Sequence, residues 1–212
     1  MGTGLLVLAV IGSGIAASRL SDDAGLQLLQ NAGATASALI AIILALGPVS
    51  GAHLNPVVTL AVRAAGAVGT REVGAYVIAQ VAGGAAGAVV ANLMFSLPAV
   101  ELATEVRSSG GLWRGEGVAT FGLVLVVLGV ARSNWPTAAP FAVAAYIGGA
   151  YYFTSSTSFA IPAVTLGRTL SDTFAGIDPA SVPAFVAAQL VGGGLAVALS
   201  RFLHPVKELA DV

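Results

Sequence analysis

Few side chains in this sequence could do chemistry, and none has the neighbours that chemistry needs. Five hydroxyls crowd together at Thr154-Ser155-Ser156-Thr157-Ser158. A hydroxyl nucleophile needs a base within hydrogen-bond reach, and no His, Asp or Glu accompanies them in that stretch. His53 has no second His or carboxylate near it in the sequence, so no metal site is expected. Glu116 is the one acid inside an apolar stretch, where an ionisable group is a functional candidate by default, yet it has no relay partner in sight. Arg168 and Asp172 stand four residues apart, the spacing of a helical ion pair. With no cysteine, thiol chemistry, disulfides and Cys metal cages are excluded. The residues predict neither an enzyme nor a cofactor.

The elements that must position these residues belong to a bilayer. The chain has 212 residues, with Lys and Arg numbering 9 and Asp and Glu 10, so only 9% is charged against 57% hydrophobic. Mean hydropathy is +0.91. A soluble domain carries about a quarter charged residues, so an ordinary cytosolic enzyme is excluded. The net charge of −1, with no basic stripe, leaves nothing for nucleic acid to bind. Residues 1–18, 32–62, 73–100, 117–131, 133–167 and 179–200 hold no charged side chain. A spanning helix needs about 20 apolar residues, so most of these runs fit one crossing. Met1 is followed at once by apolar sequence without a positive n-region, so no signal peptide is expected.

Two runs are too long for one helix and too short for two with a loop. Each holds a small polar stretch and then a proline, Pro56 or Pro162. Proline suits the first turn of a helix, and irregular backbone at membrane depth is tolerated only inside protein or beside a wet cavity. The pattern predicts a re-entrant loop ending in a half-helix, twice. Spans are expected at about 1–18, 32–49, 72–95, 113–131, 138–154 and 182–203, with half-helices near 56–65 and 162–171.

The two halves repeat. Ser50, Pro56, Val58, Thr59 and Leu60 match Ser156, Pro162, Val164, Thr165 and Leu166 at one spacing. Ala79-Gln80-x-x-Gly83-Gly84 matches Ala188-Gln189-x-x-Gly192-Gly193, and Thr3-x-x-Leu6-Val7-Leu8 matches Thr120-x-x-Leu123-Val124-Leu125. The chain therefore divides into repeats of about 1–107 and 112–212 within a single transmembrane domain, 1–212. Three spans per copy force the second copy to enter from the opposite side, which puts the pathway at the repeat interface near the midplane. The first-copy position matching Glu116 falls one place ahead of Met1.

Ser50-Gly51-Ala52-His53-Leu54-Asn55-Pro56-Val57-Val58-Thr59 resembles the first signature of the aquaporin, or major intrinsic protein, family. That family usually has Ala where Val57 stands. The resemblance covers essentially the whole chain and implies an all-α membrane protein of six transmembrane helices and two re-entrant half-helices. It also implies one pore per subunit, a homotetramer, a cell-membrane location and cytoplasmic termini, with Arg63, Arg71, Arg132, Arg201 and Lys207 inside. The pore junction falls at Asn55, Pro56, Val57, Ile161, Pro162 and Ala163. The family's second Asn-Pro-Ala-Arg is here Ile161-Pro162-Ala163-Val164, so one of two amide donors and the filter arginine are missing. The matching Glu in the family braces a re-entrant loop through backbone N–H groups, a role that passes to Glu116. His53 is placed at a pore mouth or bonded to loop backbone. Arg168 is placed on the second half-helix, able to reach into the mouth vacated by the missing arginine.

Matched without gaps, the family's selectivity filter falls at Thr35, Gly149, Ser158 and Val164. Those residues are small and uncharged, so a wide constriction is expected. The implied function is a passive channel for small uncharged solutes, glycerol-like, urea-like or neutral metalloid acids, with or without water. A branch of bacterial aquaporin-like channels has a similar Arg168-Thr169-Leu170-Ser171-Asp172-Thr173-Phe174-Ala175-Gly176-Ile177 stretch, and some members are linked to arsenic detoxification. That branch typically keeps the second Asn. The alternatives are a water-selective channel, or a non-conducting member with a structural role whose midplane Val57 and Ile161 render apolar and prone to dewetting.

Overall fold

Each charge-free run carries helix in the computed structural model of the chain, which describes residues 1–204. Lys207, counted above among the inner charges, lies outside the described residues. Six long helices are α1 (Gly2–Leu20), α2 (Ala24–Ser50), α4 (Thr70–Met94), α5 (Gly110–Ala131), α6 (Ala139–Phe153) and α8 (Val182–Leu203). The short helices α3 (Pro56–Ala64) and α7 (Pro162–Gly167) are the two half-helices. Five of the long helices are individually long and apolar enough to cross a membrane. The sixth, α6, has 15 residues and is preceded by a 3₁₀ turn over Pro136–Ala138.

Local chemistry sets the ends. Asp23 caps α2 by accepting from the Leu26 N–H at 2.8 Å, and Ser109 caps α5 by accepting from the Leu112 N–H at 3.2 Å. Glu72 Oε2 accepts from the Gly69 N–H at 2.7 Å, satisfying one of the orphan donors at the start of α4. Helix α2 stops at Gly51, whose φ of 68° is left-handed, a conformation natural to glycine. The sequence pattern starts this span near residue 32, whereas the helix begins eight residues earlier. The polar residues that hid its first turns are in use: the Asn31 amide donates to Val10 O and to Ser13 Oγ, both at 2.8 Å.

Helices α1 and α4 form one close pair and α5 and α8 another. Both rely on bare backbone: a Cβ at Gly87 would collide with Gly4 O, and one at Gly192 with Gly117 O. Small residues permit such approach where packing, rather than hydrophobicity, drives helix association in lipid. The half-helices fill the centre between these pairs. Leu60, Ile78, Val191, Leu195 and Phe202 are exposed, an apolar surface suited to a bilayer or a neighbouring helix.

Candidate functional site

The two re-entrant loops are built from one set of contacts used twice. In the first, Thr59 Oγ1 donates to Asn55 O at 3.1 Å, the Gln80 amide donates to Thr59 Oγ1 at 3.0 Å, and Thr3 Oγ1 donates to Leu54 O at 3.3 Å. In the second, Thr165 Oγ1 donates to Ile161 O at 3.1 Å, the Gln189 amide to Thr165 Oγ1 at 2.9 Å, and Thr120 Oγ1 to Ala160 O at 3.4 Å. Ala52 and Leu54 have φ of 44° and 54°, and Ser158 and Ala160 have 52° and 51°. Positive φ is uncommon outside glycine, so the two loops enter their half-helices through the same turn. The matched threonines and glutamines of the sequence repeat therefore have matched partners.

The loops meet. Asn55 Nδ2 donates to Ala160 O at 3.0 Å, while Asn55 Oδ1 accepts from the Val57 N–H at 2.8 Å. One side chain thus caps α3 and ties it to the entry of α7. Ile161 makes no such cap. Pro56 and Pro162 occupy the first positions of their half-helices, where a missing N–H costs nothing. Glu116 is fully buried and accepts from the N–H groups of Phe159 and Ala160, both at 2.9 Å, and from the Gln189 amide at 2.6 Å. It holds the second loop.

Three spaces lie in the bundle, each sharing lining residues with the next. A vestibule of about 540 Å³ is bordered by Asn31, Glu105, Arg107, Thr157, Arg168 and Asp172. A neck of about 10 Å³ is lined by Thr35, Tyr151, Ser158, Ile161, Val164 and Arg168, among others. An inner cavity of about 90 Å³ is lined by His53, Asn55, Val58, Ile147 and Ile161, among others. A single water needs roughly 10–15 Å³ of such space, so the neck is a one-water constriction. Ile161 borders both the neck and the inner cavity.

Three of the four residues expected at the constriction come together there: Thr35, Ser158 and Val164. Gly149 does not. It is exposed, with Phe153 the neighbour its missing side chain would meet. Successive helical residues turn by about 100°, so Gly149, two places from both Ile147 and Tyr151, faces nearly opposite to them. Those two line the neck instead. The i, i+4 pair of buried residues on α6 was the available sequence signal. The Tyr151 hydroxyl is buried and lies 3.2 Å from Thr35 Oγ1.

Val57 also departs from expectation. It is buried, and a Cβ at Gly193 would collide with its Cγ1. Its side chain is packed against α8 and is absent from the lining of the described lumen, so it does not make the midplane apolar. Ala163 makes the corresponding approach, carbonyl first, to Gly84.

The expected Arg168–Asp172 pair is not formed, because α7 ends at Gly167 and passes into a 3₁₀ turn over Arg168–Leu170. The Asp172 carboxylate accepts from the Thr104 N–H at 2.9 Å and from Thr104 Oγ1 at 3.1 Å. Arg168 Nε donates to Ala175 O, and its guanidinium carbon sits 3.4 Å from the centre of the Phe159 ring. Arg107 lies 5.3 Å from the same ring and donates to Gly176 O and Phe174 O. The Thr173–Ile177 stretch noted in the sequence is thus a cradle of carbonyls for two arginines. Small uncharged residues are expected at the constriction, whereas Tyr151 and Arg168 make it narrower and more polar.

The hydroxyl cluster is structural and lumenal. Thr154 Oγ1 donates to Ala150 O at 2.7 Å and accepts from the Ser158 N–H at 3.0 Å, and Ser155 Oγ donates to Gly111 O at 2.9 Å. Ser156 Oγ and Ser158 Oγ have no hydrogen-bond partner among the described residues. His53 stacks on Tyr76 at 4.9 Å and its Nδ1 lies 3.3 Å from Thr59 Oγ1, at the edge of the inner cavity. No cluster of metal-ligating side chains occurs among the described residues.

The family model "Major intrinsic protein" matches residues 1–158. Aquaglyceroporin AqpS of Rhizobium meliloti (strain 1021) is 49% identical over 203 residues, covering 96% of this chain and 87% of that protein. A probable aquaporin, AqpM, of Archaeoglobus fulgidus is 33% identical over 186 residues, covering 80% and 74%. The X-ray structure of the aquaglyceroporin from Plasmodium falciparum superposes with a TM-score of 0.70 over 96% of this chain and 95% of that one, at 18% identity. That likeness shows the fold.

Proposed function

The chain belongs to the major intrinsic protein family, and from that premise we propose that it is a passive channel for small uncharged solutes of the glycerol and urea kind as well as water. It is a multi-pass membrane protein and no enzyme: the family works by letting solutes run down their own gradients. The observation that carries the reading is the series of vestibule, neck and inner cavity, each sharing lining residues with the next, beside the junction of the half-helices. The 49% identity to an aquaglyceroporin supports the solute class.

Selection occurs at Thr35, Ser158 and Val164 together with Tyr151 and Arg168, with Gly149 outside the filter. Asn55 and Ile161 form the junction, one wall donating and the other apolar. Two half-helix N-termini, each worth about half a positive charge, face that junction and disfavour bare cations. A neck of about 10 Å³ admits a polyol only when the Tyr151 side chain swings aside, so permeation falls steeply with solute size. Neutral metalloid acids, compact and rich in hydroxyls, fit the same chemistry. Repeats of about 1–107 and 112–212, a homotetramer in the cell membrane and cytoplasmic termini complete the reading, supported by family membership.

Stopped-flow light scattering on proteoliposomes tests it. Water, urea, glycerol and arsenous acid gradients should relax faster than in empty vesicles, and erythritol should not. Water relaxation alone would reduce the protein to a water channel, and no acceleration of any solute would leave the structural role.

A further inference from the structure

We propose that Arg168 has taken over the work of the arginine missing at position 164, reaching the constriction from one helical turn further along. This rests on the channel reading above. Position 164 carries Val, so α7 itself brings no charge to the neck. Arg168 is four residues on, about 6 Å along a helix axis, which at first sight is too far. Two features bring it back. Helical Cα–Cβ bonds tilt toward the helix N-terminus, so a long side chain at the end of α7 leans toward the neck. The second is contact: the α-helix ends at Gly167, and Phe159 and the Ala175 carbonyl, rather than the helix register, hold the side chain.

Two contacts then fix the placement. Phe159 offers its ring face to the guanidinium, a favourable cation–π arrangement when desolvated. Ala175 O takes the Nε proton, and Ser171 and Asn92 hold the chain beyond through Ser171 Oγ and Asn92 Oδ1 at 2.7 Å. Arg168 is only 3% exposed, yet it borders both the neck and the vestibule. Among the described residues no carboxylate accepts from it, and its terminal nitrogens donate to nothing in the protein. A buried guanidinium with two free donor ends, lining both the neck and the vestibule, is a group whose partners are the permeating molecules. It supplies paired donors to a solute hydroxyl and a fixed positive charge against cations. Small side chains at 35, 158 and 164 leave it the space to do so.

Arg168→Gln removes the charge and keeps most of the volume. In proteoliposomes its proton and sodium leak should rise roughly tenfold or more, because a unit charge within a few ångströms of the path is worth several times the thermal energy at protein-like dielectric. Its glycerol-to-water permeability ratio should shift by about threefold or more, as donors that recognise hydroxyls are lost. Arg168→Lys should keep the cation barrier but still change the ratio, since a point charge replaces a planar fork. Unchanged leak and unchanged ratio in the folded Gln variant would overturn the proposal. Should the Gln variant fail to fold, an unaltered ratio in the Lys variant does the same. A native channel that passes water but no glycerol would sink the solute class proposed above, while the leak of Arg168→Gln would still decide the role of Arg168.

Discussion

Asn55 and Ile161 occupy equivalent places at the starts of α3 and α7, and their backbones agree: φ −141° and ψ 122° against φ −137° and ψ 108°. One side chain caps its helix and ties the two loops together; the other does neither. The turn is the same because other contacts impose it in both copies: a threonine reaching back to the cap carbonyl, a glutamine gripping that threonine, and a threonine from a long helix beneath the loop. The second copy adds Glu116, which takes two loop N–H groups and the Gln189 amide. The comparison teaches that re-entrant geometry survives loss of the asparagine. The identity of that residue is left to act on what passes the junction.

Breaking the second loop at its brace should have the largest effect. Glu116→Ala leaves two loop N–H groups and an amide without their acceptor, each unsatisfied group costing about 1–3 kcal/mol. A sharp loss of thermal stability in detergent is expected, with Glu116→Gln intermediate; a midpoint unchanged in Glu116→Ala would show that the loop is held some other way.

The packing of the half-helices against α4 and α8 offers a sharper contrast. Gly193→Ala meets the Val57 side chain, and Gly84→Ala meets the Ala163 carbonyl. Overpacking of this kind costs about 1–3 kcal/mol. Adding Val57→Ala should rescue Gly193→Ala, because the obstacle is a side chain. Nothing comparable can rescue Gly84→Ala, whose obstacle is backbone. Equal behaviour of the two glycines in thermal unfolding would contradict the packing described for Val57.

Making the loops alike is a milder change. Ile161→Asn should cap α7, worth about 1 kcal/mol, and raise water permeability severalfold by placing a donor on the apolar wall, an expectation that rests on dewetting of apolar constrictions. The reciprocal Asn55→Ile should lower water flux instead. Flux that ignores both substitutions in stopped-flow scattering would mean the junction is not limiting.

The smallest effect belongs to the glutamines. Gln80→Leu removes one bond to Thr59, about 0.6 kcal/mol at the average for such bonds in membranes. Gln189→Leu removes bonds to both Thr165 and Glu116 and should shift the unfolding midpoint further. Equal shifts would remove the energetic distinction between the loops.

Much of the architecture was legible in the sequence because bilayer physics writes it in one dimension. Charge-free runs mark spans, a proline after small polar residues marks a half-helix, and matched spacings mark the repeat. The start of α2 was obscured because Gln27, Gln30 and Asn31 look like loop residues until their partner helix is known. Gly149, Val57 and Arg168 show where one dimension ends. The four expected filter positions came from a register matched along the chain, and that register put Gly149 where Tyr151 stands.

The sequence by itself determined that this protein crosses a membrane six times and carries two helix stubs around an interface of repeats. Those properties follow from local hydropathy and backbone requirements. Only the tertiary structure decided which face of α6 meets the lumen, that Val57 turns toward Gly193, and that Arg168 leans over Phe159 into the neck. Those facts depend on the rotation of packed helices about their axes and on side chains that meet from distant parts of the chain.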